Sequence, residues 1–86
     1  MTARWTGDLD DDCVLVDGEW IAHVEKMDHR AWWCSLVGPD GFAMNASDVT
    51  IGDECLWFST GGDARRFCEF LIGWEKARPD RRRVGR

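Results

Sequence analysis

Six side chains of this chain have the chemistry to hold a transition metal or to form a nucleophile and base: Cys13, His23, His29, Cys34, Cys55 and Cys68. Structural zinc sites typically include a pair of ligands only two to four residues apart. The four cysteines are separated by 20, 20 and 12 residues, and no C-x2-C knuckle occurs. A reactive thiolate needs a partly exposed, electropositive setting. Cys13, Cys34 and Cys55 instead lie in acidic, strand-like segments, and Cys68 lies in the apolar stripe of a helix. No segment supplies nucleophile, base and orienting group together. The cysteines therefore read as reduced, buried thiols. The expectation is a protein without catalytic residues, metal or cofactor.

Two further patterns have a chemical reading. Gly61-Gly62 before a helix resembles a phosphate seat, but Asp63 places negative charge there and fits a capping role better. The run Asp10-Asp11-Asp12 reads as a solvated acidic stretch more than as an acid–base pair.

Charge is the stronger signal. Residues 1–63 hold thirteen Asp or Glu against three Lys or Arg, and residues 64–86 hold three against eight. The nets are −10 and +5, and the whole chain carries −5. Such asymmetry speaks of partners more than of fold. An acidic surface with an aromatic at its centre has the anatomy of a patch that steers and anchors a basic protein. The expected patch is Asp10, Asp11, Asp12, Asp17, Glu19, Glu25, Asp28 and Trp33. Its expected partner is a basic protein surface, of the kind found on a nucleic-acid-binding host protein. The alternative is direct nucleic-acid binding by Arg81, Arg82, Arg83 and Arg86 with a stacking Trp. The acidic body opposes that alternative, because it repels a polyanion over a Debye length of about 8 Å.

The elements that must position these residues follow from pattern. Cys13–Val16, Glu19–Met27, Ala31–Val37, Phe42–Ala46 and Glu54–Phe58 read as short strands, with Asp17-Gly18 and Gly38-Pro39-Asp40-Gly41 as turns. Trp20, Ala22 and Val24 share the inward side of the second strand. Adjacent residues face opposite sides of a sheet, so Trp32 and Trp33 cannot share a layer. Thr60 caps a helix that Pro79 ends, with an apolar stripe of Ala64, Phe67, Cys68, Leu71 and Trp74, broadened by Phe70 and Ala77. The expected fold is α+β: an antiparallel sheet of four to five short strands with one C-terminal helix on one face. Residues 1–78 are expected to form a single domain and 79–86 a flexible basic tail. Six Trp exceed what so small a core needs, so one or two are expected outside. No stretch approaches the ~20 apolar residues of a membrane span, and the N-terminal segment lacks a signal-peptide core, so a cytoplasmic setting is expected. A monomer or homodimer is compatible with the pattern.

The segments Arg4-Trp5-Thr6-Gly7-Asp8-Leu9-Asp10-Asp11-Asp12-Cys13 and Ala22-His23-Val24-Glu25-Lys26-Met27-Asp28, with the Trp32-Trp33 strand, resemble small phage and prophage proteins. The resemblance covers the first half of the chain. Small acidic proteins of that style include inhibitors of host defence such as anti-CRISPR proteins. It implies a stoichiometric protein-binding inhibitor and assigns no functional residue.

Overall fold

The computed structural model describes residues 4–46, 50–51, 54–55 and 57–78. Five strands, β1 (Trp5–Asp8), β2 (Asp12–Asp17), β3 (Trp20–Asp28), β4 (Ala31–Val37) and β5 (Ala43–Asn45), form an antiparallel meander in chain order. Short connections between sequential antiparallel strands make this the simplest wiring. A separate two-stranded ladder joins β6 (Thr50–Ile51) to β7 (Glu54–Cys55). Helix α1 (Gly61–Ala77) packs on β3 and β4. The α+β architecture expected from the sequence is the one observed.

Two strands differ from the pattern reading. Of the expected strand Glu54–Phe58, the described residues do not join the main sheet as a strand. Glu54–Cys55 pairs with β6, and Phe58 makes a single bridge to Trp32, with N···O distances of 2.7 and 3.2 Å. The fifth strand is Trp5–Asp8, a segment too polar to show alternation. Its register with β2 runs Trp5↔Leu15 to Asp8↔Asp12, and as an edge strand it needs only Trp5 to reach the core. The tight β2–β3 turn is Gly18-Glu19, one residue later than the Asp-Gly signal, with Asp17 still paired to Trp20. Gly18 takes φ +64°, which favours glycine.

The inner face of the sheet buries Cys13, Leu15, Trp20, Ala22, Val24, Trp32, Cys34 and Leu36 beneath α1. The side chain of Thr60 accepts from the backbone N–H of Asp63 at 3.1 Å, as a cap should. The buried stripe of the helix, however, is Gly61, Ala64, Cys68, Ile72 and Glu75, with Phe67 and Leu71 half-buried. Phe70 and Trp74 are 67% and 53% exposed, which rotates the stripe away from the one that apolar spacing gives. Volume is the reason. Trp20 and Trp32 already fill the core, and a close-packed interior has no room for a third indole. Small residues seat the helix instead: a Cβ on Gly61 would lie 2.9 Å from the Trp32 ring.

Candidate functional site

The face of the sheet opposite α1 carries three cross-strand rows. The first is Asp8, Asp12, Glu25 and Trp33 on β1 to β4. The second is Thr6, Val14, His23, Ser35 and Asn45, and the third is Val16, Ile21, Val37 and Ala43. Partners in a row sit about 4.8 Å apart, one strand spacing. The alternation that sends Cys13, Val24 and Cys34 into the core sends Asp12, Glu25 and Trp33 outward. Trp32 is the buried member of its pair and Trp33 the outer one, half-buried on the surface.

Trp33 is held in place. Its Nε1 donates to Asn45 Oδ1 at 2.5 Å, and its ring meets the His23 imidazole edge-on at 5.3 Å. His23 Nε2 contacts Asp12 Oδ1 at 2.5 Å. Beside Trp33 lies an open depression of about 320 Å³ lined by Trp33, Ser35, Val37, Ala43, Met44 and Asn45. The β1–β2 hairpin brings Asp10 and Asp11 to the acidic end of the first row. Asp10 N–H donates to Asp8 Oδ1 at 2.9 Å, and the Asp11 carbonyl accepts from Lys26 N–H at 2.7 Å. Arg65 of α1 donates to the Leu9 carbonyl at 2.9 Å and so ties the hairpin to the helix.

The expected patch is thus only partly assembled. Asp12, Glu25 and Trp33 share a row, Asp10 and Asp11 adjoin it, and Asp28 is exposed at the same end of the sheet. Asp17 and Glu19 lie at the opposite end. Asp17 is drawn to the helix layer by Lys76, whose Nζ is 2.7 Å from its Oδ2. The row also includes Asp8, which the sequence patch omits. Its signal is the three-residue hairpin loop, which sets Asp8 against Asp12. Arg81, Arg82, Arg83 and Arg86 lie outside the described residues.

Three of the thiols belong to the core. Cys13, Cys34 and Cys68 are free and buried. The hydrogen bond between Cys68 and Cys34, reinforced by burial, pushes the Cys68 thiol far above the ordinary range, and the same bond lowers the Cys34 thiol against its burial. Burial raises Cys13 against an opposing hydrogen bond from Arg65. Neither setting makes a thiolate. Among the described residues, no three His, Cys, Asp or Glu side chains gather as a metal site, and no helix is long and apolar enough to cross a membrane.

No family model, curated protein or solved structure matches this chain.

Proposed function

We propose that the chain is a non-enzymatic binding module whose acidic, Trp-centred sheet face engages a basic surface on another protein. One contrast carries the reading. Asp17, Asp63 and Glu75 are ion-paired to Lys76, Arg66 and Arg78, whereas no Lys or Arg among the described residues pairs with Asp8, Asp12 or Glu25. Like charges directly opposite each other on neighbouring strands destabilise a sheet. A row of three carboxylates to which no described Lys or Arg is paired works against folding and suits a cationic partner. Trp33 ends the row with a large, rigid apolar surface of the kind that dominates interface energetics. A protein that itself holds nucleic acid presents such a basic surface, and occupying it would make this chain an inhibitor of that protein.

The test is titration of the chain against an Arg-rich peptide and, separately, a single-stranded oligonucleotide of similar length, at several salt concentrations. The peptide should bind, with affinity falling as salt rises. Replacing Asp8 by Asn and Glu25 by Gln should weaken it about fivefold per charge at low salt, the worth of roughly 1 kcal/mol at contact distance in water. Preference for the oligonucleotide, or peptide binding unchanged by the two substitutions, would overturn the proposal.

A further inference from the structure

The depression beside Trp33 adjoins the acidic row, and the two together define a narrower ligand than a basic surface in general. It is lined by Trp33, Val37 and Ala43, with Ser35 and Asn45 as the polar members, and by Met44, whose register partner Leu36 lies in the core. Val37 is 44% exposed, so the apolar wall is open to a visitor. Trp33 is shared: it lines the depression and stands opposite Glu25 in the acidic row. From β4, Glu25, Asp12 and Asp8 follow on β3, β2 and β1 at steps of about 4.8 Å, or roughly 14 Å in all. The hydrogen bond to Asn45 and the edge contact with His23 fix the indole between the two zones.

On the strength of the acidic-face reading, we infer that the depression is the anchor pocket for an apolar side chain of an extended basic segment that crosses the strands along the acidic row. An extended chain places every second side chain on one side, about 6.6 Å apart. The depression lies toward β5 from Trp33, so an apolar residue seated in it sets residues two, four and six positions away over the stretch from Glu25 to Asp8. Lys or Arg at those positions meets the carboxylates, and its stem lies on the sheet surface. The opposite charge of ligand and row is the complementarity that selects this occupant. A bare apolar helix would leave Asp8, Asp12 and Glu25 covered and unpaired.

Three peptides of equal length test the inference on the full chain, read by Trp fluorescence and calorimetry. One is Leu-Thr-Arg-Thr-Arg-Thr-Arg, the second has Gly in place of Leu, and the third has Gln in place of each Arg. The Leu peptide should bind about tenfold more tightly than the Gly peptide, the low end of what burying a leucine side chain contributes. The Gln peptide should fail to bind. Ala43→Trp, which fills the depression from an exposed edge-strand position, should abolish the preference for the Leu over the Gly peptide. Val37→Ala, which widens it, should reduce that preference. Equal binding of Leu and Gly peptides, with salt dependence intact, would overturn the anchor pocket and leave the acidic-face proposal standing. Loss of both Arg peptides would remove the two together. A Leu preference that Ala43→Trp does not alter would place the anchor elsewhere and refute the pocket. If Arg81→Gln, Arg82→Gln and Arg83→Gln together raise affinity for the Leu peptide, the occupant is the basic tail of this chain, which would overturn a separate partner.

Discussion

If the acidic row is retained against folding, relieving it must stabilise the protein. Asp8→Asn and Glu25→Gln remove both carboxylate–carboxylate pairs, Asp8↔Asp12 and Asp12↔Glu25, yet keep the Asp12–His23 contact. Asn also keeps an oxygen for the Asp10 N–H. Two charges about 5 Å apart in water repel by roughly 0.8 kcal/mol. Screening leaves about 0.7 kcal/mol at 10 mM salt, 0.4 at 0.15 M and 0.15 at 1 M. Two pairs then give about 1.4 kcal/mol of added stability at 10 mM and 0.3 at 1 M, in line with measured cross-strand pairs. For a domain of this size the first figure raises the melting temperature by about 6 to 11 °C and the second by about 1 to 2 °C. Circular dichroism melts of both chains at the two salt concentrations supply the comparison. A double variant that melts at or below the parent at 10 mM salt would refute the repulsion argument. A gain that does not shrink in 1 M salt would refute its electrostatic origin.

Three more consequences concern the scaffold. Gly61→Val forces a branched side chain into the Trp32 ring, already 2.9 Å from an added Cβ, and should cost about 1–3 kcal/mol in a urea melt. The Lys76–Asp17 pair joins side chains 47% and 33% exposed, so Lys76→Ala should change stability by less than about 1 kcal/mol; a larger loss would mean the pair does more than its setting allows. Stability should fall in alkali. Folding raises the Cys13 thiol by burial, so below about pH 8.5 both states keep its proton and nothing is lost; the Cys34–Cys68 pair adds opposed effects, since its shared hydrogen bond raises Cys68 and lowers Cys34. Above it the unfolded chain releases the Cys13 proton that the folded one holds, and stability drops by up to about 1.4 kcal/mol per pH unit from that thiol. Cys13→Ala should make that slope shallower, and a slope from pH 8 to 10 that the substitution leaves unchanged would contradict the burial assignment.

Much of this arrangement is legible from spacing. Alternation along Trp20, Ala22 and Val24 fixes the inward side of β3, and the Trp32-Trp33 doublet must split between layers whatever the partner strands do. Capping chemistry at Thr60 marks the helix start to the residue. What spacing cannot show is competition for volume. Trp74 and Phe70 fit the apolar period of α1 as well as Ile72 does, and only the space already taken by Trp20 and Trp32 turns the helix toward Gly61, Ala64 and Cys68. The same holds for the acids. A list of nearby Asp and Glu treats Asp17 and Asp12 alike, but register sends one toward Lys76 and the other into the row with Glu25. Edge strand β1 escapes pattern reading because pairing on one side only demands little apolar character.

The distribution of tryptophan now bears on function differently from its number. Trp20 and Trp32 are buried, and Trp5 closes the edge of the core by donating to Glu69 Oε2 at 2.7 Å. Trp57 and Trp74 are exposed, the latter beneath the Arg78 guanidinium at 5.3 Å. Trp33 differs from both groups. It lies on the face without a helix, is oriented by Asn45 and His23, and stands opposite a carboxylate. An indole left outside only for want of room needs no such fixing, as Trp74 shows by spending its face on a neighbouring cation. Rigid placement lowers the conformational entropy lost when a partner arrives. That advantage is realised only at a surface that binds, and on the outer face it coincides with the one row of carboxylates to which no described Lys or Arg is paired.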